Sequence, residues 1–165
     1  MTESMSVDLL RANDWQRYRA IRIRSLEINP EAFGGSFEAE SQWSEREWRT
    51  EMAKFVALVA VHDSADVAVM TVEVLDGDHG TTCWIGGCWS DPAVRGKGAF
   101  RALFTYVDAH AAEFGWSKQG LGVWRDNDSA IAAYSALGFR FAGEPMESTR
   151  KPGLFYIHMI RDSIL

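Results

Sequence analysis

The sequence predicts a mixed α/β fold, with a central, mostly antiparallel sheet of about seven strands flanked by about four helices. Three observations lead there. Three apolar runs of strand length, FVALVAVHD (55–63), VAVMTVEVLDGD (67–78) and TTCWIGGCWS (81–90), follow one another closely, the last two joined through Asp76-Gly77. Phe100, Leu103, Phe104, Val107, Ala111 and Phe114 recur at helical spacing, with Gly115 placed to end that helix. A further strand, Gly120–Trp124, comes after the helix, so it should run parallel to the strand before it. With 165 residues and 47% hydrophobic content, the chain can bury one real core, and a single domain over 1–165 is expected.

The remaining elements follow in order. VDLLRA contributes a first strand, apolar from Val7 to Leu10. Asn13, with Gln16 three residues on, should cap a helix with Trp15, Tyr18 and Ile21 on one face, stopping near Asn29-Pro30. The segment 30–43 has no period and reads as a loop, its aromatics Phe33, Phe37 and Trp43 either functional or tucked into the core. Ser44 and Glu47 form a capping box for a short helix marked by Trp48 and Met52. Gly86 and Gly87 inside the third meander strand point to a bulge or a close backbone approach. Asp126, Asn127 or Asp128 should cap a helix ended by Gly138. FRFAG (139–143) and LFYIHMI (154–160) are the final strands, joined by a polar loop from Glu144 to Gly153.

Composition excludes several classes. A formal net charge of −6 argues against nucleic-acid binding, which favours a basic surface. No apolar run reaches membrane-spanning length, and MTESMSVDLL lacks the regions of a secretory signal, so no membrane association and a cytoplasmic location are expected. Cys83 and Cys88 stand on opposite faces of one strand and should both be buried thiols. With no further Cys, and with His62, His79, His110 and His158 in no shared motif, no metal site is expected. Tryptophans, if exposed, would suit a homodimer interface.

The chemistry concentrates in residues 88–114. There a strand passes through Pro92 into a basic turn, Arg95-Gly96-Lys97-Gly98, and then into a helix. Two residues without side chains leave the first helical amides uncovered at the positive end of the dipole, beside two cations, which suits a phosphate or pyrophosphate. A Walker loop is excluded, since Asp91 stands where its first glycine is needed and Gly98 where Ser or Thr should follow the lysine. A dinucleotide fingerprint fails for want of its third glycine.

Pro92-Ala93-Val94-Arg95-Gly96-Lys97-Gly98, continued by Ala99 and Phe100, resembles the acyl-CoA-binding motif P-x-x-R-G-x-G of the GNAT superfamily of N-acetyltransferases. Two positions depart from the usual pattern: Phe100 stands at a small position, and Ser90 stands at the apolar position two before the proline. Downstream, Asn127, Ala130, Tyr134 and Gly138-Phe139 resemble the second GNAT signature, N-x-x-A-x-x-x-Y-x-x-x-G-F, and the order of elements is also that of the family.

The resemblance implies a sheet splayed at the acyl-CoA site and acetyl-CoA as acyl donor, held by Arg95 to Phe100 and contacted by the main chain at Trp89 and Ser90. It further implies that Asn127 touches CoA and that Tyr134 acts as general acid to the leaving thiolate. On their own, Asn127 reads equally as a helix cap and Tyr134 as a core aromatic with Ile131 and Leu137. The implied acceptor is a primary amine of a small molecule or peptide. An alkylammonium with a pKa of about 10.4 must lose a proton before attack. Glu73, sharing a strand face with Val67, Val69 and Thr71, is the first candidate base, and Asp91 the second. Phe33, Phe37, Glu38 and Trp43 would frame an acceptor pocket. The alternative is a non-catalytic acyl-CoA-binding or regulatory module of the same fold.

Overall fold

The structure, a computed structural model, describes residues 5–163. Its strands are β1 (Ser6–Leu10), β2 (Val56–His62), β3 (Ala65–Val74), β4 (Cys83–Ser90), β5 (Lys118–Trp124), β6 (Arg140–Glu147) and β7 (Phe155–Asp162). They form one mixed sheet in the order β1-β2-β3-β4-β5-β7-β6. The helices are α1 (Trp15–Ile28), α2 (Phe37–Glu40), α3 (Glu45–Met52), α4 (Ala99–Ala109), α5 (Ala111–Phe114) and α6 (Asp128–Ala136). The expected seven strands and four substantial helices are present, and α2 and α5 add one turn each. The chain divides into two compact units, Met1–Glu73 with Gly87–Tyr106, and Val74–Gly86 with Val107–Leu165.

In the first unit β1, β2 and β3 pair antiparallel, with Leu9 opposite Leu58 and Leu58 opposite Met70. Leu10, Tyr18, Ile21, Leu26, Trp48, Met52, Val59, Val69 and Trp89 make its core. Phe33 lies in that core, with Phe37 and Trp43 packed against it, so the aromatics of 30–43 serve packing. Ser36 caps α2 by accepting from the Ala39 amide at 3.0 Å, a helical turn where the sequence reads as a loop. Trp48 is fully buried, edge-on to Tyr18 and Trp43. Its truncation to Ala would cost about 3–5 kcal/mol.

The Ser44–Glu47 capping box forms as expected. Asn13 does not cap α1. Its Oδ1 instead accepts from Arg49 of α3 at 3.0 Å, and the Asp14 carboxylate accepts from the Arg11 amide at 3.0 Å to form the entry turn.

In the second unit the parallel pairing of β4 with β5 is confined to Cys83 through Ile85 against Gln119 through Leu121, which agrees with a splayed sheet. β7 pairs antiparallel with β5 and with β6. β6 runs on to Glu147 rather than ending at Gly143, because a register shift between Ala142 and Met146 absorbs Gly143 at φ 76°. Pro145 is tolerated because β6 is an edge strand. The expected single helix through Phe114 breaks at His110 into α4 and α5, and Gly115 at φ 80° ends it as anticipated.

Cys83 is buried and its thiol is pushed up to about 12 by burial, against the opposing pull of Arg161, so it is inert. Cys88 is only half-buried, a departure from the expected buried thiol, since it follows the break that Gly87 makes at φ 59°. His158 is buried among Trp84, Tyr156 and His79, and burial lowers its pKa.

Candidate active site

The turn before α4 is built by Asp91. Its Oδ1 accepts from the Ala93 amide at 3.0 Å, closing a 3-10 turn over Pro92–Val94, where proline is favoured because its missing N–H would be unpaired anyway. Its other oxygen takes the Arg24 guanidinium at 3.3 Å, and Arg24 also donates to the Asp66 carbonyl at 2.8 Å. The second base candidate is therefore a structural tie: its lone pairs hold the turn and a cation.

Beyond it the chain needs two glycines. Gly96 and Gly98 sit at φ 82° and 89°, where a side chain costs roughly 1–2 kcal/mol. A Cβ added at either would meet nothing within 4 Å, so the requirement is conformational and the space above the turn is open. The Lys97 amide closes the turn onto the Val94 carbonyl at 3.1 Å. The first helical bond of α4 runs from the Ala102 amide to the Gly98 carbonyl at 2.9 Å. The amides of Ala99, Phe100 and Arg101 thus precede any intrahelical acceptor. Arg95, Gly96, Lys97 and Gly98 are exposed, no acid lies in the first turn of α4, and two cations stand beside it. This turn has the chemistry of an anion site. Ala99 is buried and Phe100 half-buried, so the apolar stripe begins here without taking the Phe100 amide out of the open set.

Asn29 is the residue that sequence reading misses. Beyond ending α1, its Oδ1 accepts from Trp89 Nε1 at 2.9 Å and from Arg95 Nη2 at 3.1 Å, tying β4 to the glycine turn. Asn-Pro signals only a helix stop, and its partners lie 60 and 66 residues away. Trp89 is buried and Ser90 half-buried at the end of β4. Glu73, the first base candidate, is half-buried on β3. In the same unit, Arg22 holds Glu40 in a two-pronged pair at 2.9 and 3.0 Å and lies over the Phe33 ring. Burial opposes the Arg22 charge, but the Glu40 bonds prevail and its pKa is raised. Of the residues read from sequence as framing an acceptor pocket, Phe33 is buried, Phe37 and Trp43 are partly buried, and Glu38 is exposed.

The second unit carries Asn127 and Tyr134. Asn127 caps α6, its Oδ1 accepting from the Ala130 amide at 3.2 Å and the Ser129 hydroxyl at 3.3 Å. Tyr134 is buried in the last turn of α6, its ring edge-on to Phe139 at 5.9 Å. The residues singled out from sequence therefore fall in two groups: Glu73, Trp89, Ser90 and Arg95–Phe100 in the first unit, Asn127 and Tyr134 in the second. Among the described residues, no group of three or more His, Cys, Asp or Glu could hold a metal, and no helix is long and apolar enough to cross a membrane.

The family described as acetyltransferase (GNAT) family matches residues 22–139, a span that takes in both signatures. The chain belongs to the GNAT acetyltransferase family. Solved GNAT structures share its fold over nearly the whole chain. A GNAT acetyltransferase from Streptococcus pneumoniae superposes with a TM-score of 0.74 at 12% identity, covering 96% of this chain and 99% of that one. The ribosomal-protein-S18-alanine N-acetyltransferase of Escherichia coli gives 0.69 at 20% identity, covering 98% and 96%. The Salmonella typhimurium protein yncA, solved with its cofactor acetyl-CoA, gives 0.72 at 15% identity, covering 98% and 95%. No curated protein sequence matches the chain. In a GNAT chain the open turn before α4 is where the family motif falls, and its amides, glycines and cations fit a pyrophosphate.

Proposed function

We propose that the chain is an acetyl-CoA-dependent N-acetyltransferase that moves an acetyl group to a primary amine of a small molecule or peptide. The observation that carries this reading is the start of α4: an open turn whose glycines leave the first helical amides uncapped by side chains, in a chain of the GNAT family. Bound acetyl-CoA supplies an activated acetyl thioester. The amides from Gly98 to Phe100, with Arg95 and Lys97, hold its pyrophosphate, and the main chain at Trp89 and Ser90 orients the acyl end. Backbone donors suit that task because they are fixed in advance of the reaction. Asn127 caps α6 with its Oδ1, which leaves its Nδ2 to donate to the cofactor. Glu73 takes the proton from the acceptor ammonium. As the C–N bond forms and the C–S bond breaks, Tyr134 gives its hydroxyl proton to the sulfur, and the second proton that the nitrogen loses in becoming an amide restores the Tyr134 hydroxyl. No metal takes part, the whole of 1–165 acts as one catalytic domain, and the setting is the cytoplasm.

The test is calorimetric titration of the purified chain with acetyl-CoA, beside Gly98→Trp checked for folding by circular dichroism. It is followed by thiol release with spermidine, tyramine, lysine ethyl ester and an Ala-Arg peptide. Binding by the wild type, lost in Gly98→Trp, with amine-dependent thiol release that Tyr134→Phe lowers steeply to a residual, measurable rate, supports the reading. Binding without turnover on any amine assigns the chain instead to the non-catalytic acyl-CoA-binding or regulatory module. Absence of binding by the folded wild type removes both.

A further inference from the structure

We propose that Arg161 is a positioning residue for Tyr134, an inference that rests on the general-acid reading given above. Arg161 on β7 is 4% exposed, and its bonds leave by three directions. Nη2 donates to both Asp108 oxygens at 2.9 Å, Nε to Gln119 Oε1 at 2.8 Å, and Nη1 to the Leu137 carbonyl at 2.9 Å. Gln119 is locked in turn, its Nε2 donating to Asp108 Oδ1 and to the Trp116 carbonyl, each at 3.1 Å. The guanidinium carbon Cζ lies over the Phe139 ring, 5.1 Å from its centre.

Two of these contacts end just past α6, on Leu137 and Phe139. Leu137 is its C-cap, where helical carbonyls lack intrahelical donors and the end frays unless something binds them. Arg161 supplies that donor from a strand. The amides of Leu137 and Phe139 both donate to the Tyr134 carbonyl, at 3.0 and 3.1 Å, so the backbone that Arg161 grips is bonded directly to Tyr134. The Phe139 ring, which has Arg161 over it, meets the Tyr134 ring edge-on at 68°. Backbone and ring contacts therefore reach the same tyrosine from the same guanidinium.

Stability alone does not call for this arrangement, since well-packed apolar residues often replace buried ion pairs without loss. Directionality does: a planar fork can clamp a carboxylate, an amide and a carbonyl at fixed angles while presenting a flat face to a ring. Lysine keeps the charge but not the fork. A general acid displaced by about 1 Å costs on the order of a hundredfold in rate.

The test is a double-mutant cycle on the full chain, using acetyl-CoA and the best acceptor of the four amines. Arg161→Lys should lower kcat by about ten- to a hundredfold while KM for acetyl-CoA stays within about twofold. In a Tyr134→Phe background the same change should lower kcat no further. Where Arg161→Lys fails to fold, Phe139→Leu, which removes the ring and keeps the apolar volume, enters the same cycle with the same expectation. Equal losses in both backgrounds, or an unchanged kcat, overturn the inference while leaving the general acid standing. An unchanged kcat in Tyr134→Phe alone, or no turnover with any amine, overturns the reading beneath it and the inference with it.

Discussion

The turns that lead into α4 and α6 hold their helices at the same position and by opposite means. Gly98 and Asn127 each offer a main-chain carbonyl to the first helical bond, from Ala102 at 2.9 Å and from Ile131 at 3.0 Å. At α6 the Asn127 side chain then also accepts from the Ala130 amide, and Asp128 adds a negative charge to the first turn. Partial positive charge at that end is already answered from within the chain. At α4 the equivalent residue has no side chain, the first turn holds no acid, and Arg95 and Lys97 stand alongside. Whether a helix start binds an anion is thus decided by who supplies the acceptor. The α6 start is capped from within the chain, and the α4 start is not.

The largest effect should come from closing the α4 start. Gly96→Ala with Gly98→Ala places side chains in the left-handed region at two positions, so the turn must change shape. Acetyl-CoA affinity measured by calorimetry should fall by at least about tenfold, or roughly 1.4 kcal/mol. Gly115→Ala is the control: at φ 80° it carries the same kind of strain, at one position instead of two, at the end of α5, and it should lower the melting temperature while leaving affinity alone. Equal affinity losses in both variants would mean that strain, not the anion site, is being measured.

Much of this contrast can be read along the chain, because caps and glycine turns are local. Ser44 with Glu47, Asn127 and Gly115 all act as their immediate neighbours imply. Legibility stops where a local choice is settled from far away. Asn13 is fit to cap α1, but its oxygen is taken by Arg49, 36 residues on. Asn29 looks like a helix stop and becomes the tie between Trp89 and Arg95. Arg161 looks like a charge near the end of a strand, and only the folded sheet brings it to Asp108, 53 residues away, and Leu137. The break at His110 is hidden for a different reason, since the apolar stripe of α4 resumes at Ala111 and shows no interruption in the sequence.

A smaller effect should separate the two uses of Asn127. Asn127→Ala removes the cap and should cost about 1 kcal/mol, or roughly 2–4 °C in melting temperature for a chain of this size. It should weaken acetyl-CoA binding as well. Asn127→Asp keeps an acceptor for the Ala130 amide but loses the Nδ2 donor and adds a charge beside the first-turn acid Asp128. Its melting temperature should stay near that of the wild type while affinity falls. If affinity is unchanged in Asn127→Asp, the side chain serves α6 alone, and its place among the cofactor-binding residues is withdrawn.

The smallest effect belongs to Lys97. Its amide closes the turn onto Val94, but its side chain is exposed, so Lys97→Ala leaves the backbone donors in place and removes one solvated charge. An exposed charge at a helix start contributes about 0.3–1 kcal/mol at low ionic strength, which corresponds to a two- to fivefold loss of affinity for acetyl-CoA. That loss should shrink as salt is raised, because the Debye length falls from about 10 Å at 0.1 M to about 3 Å at 1 M. The loss from closing the glycine turn should be much less sensitive, since it removes short-range amide contacts. A Lys97→Ala loss that equals the glycine loss, or that persists at 1 M salt, would mean the lysine makes a direct bond to the ligand. The anion site would then rest on a side chain as much as on the helix start.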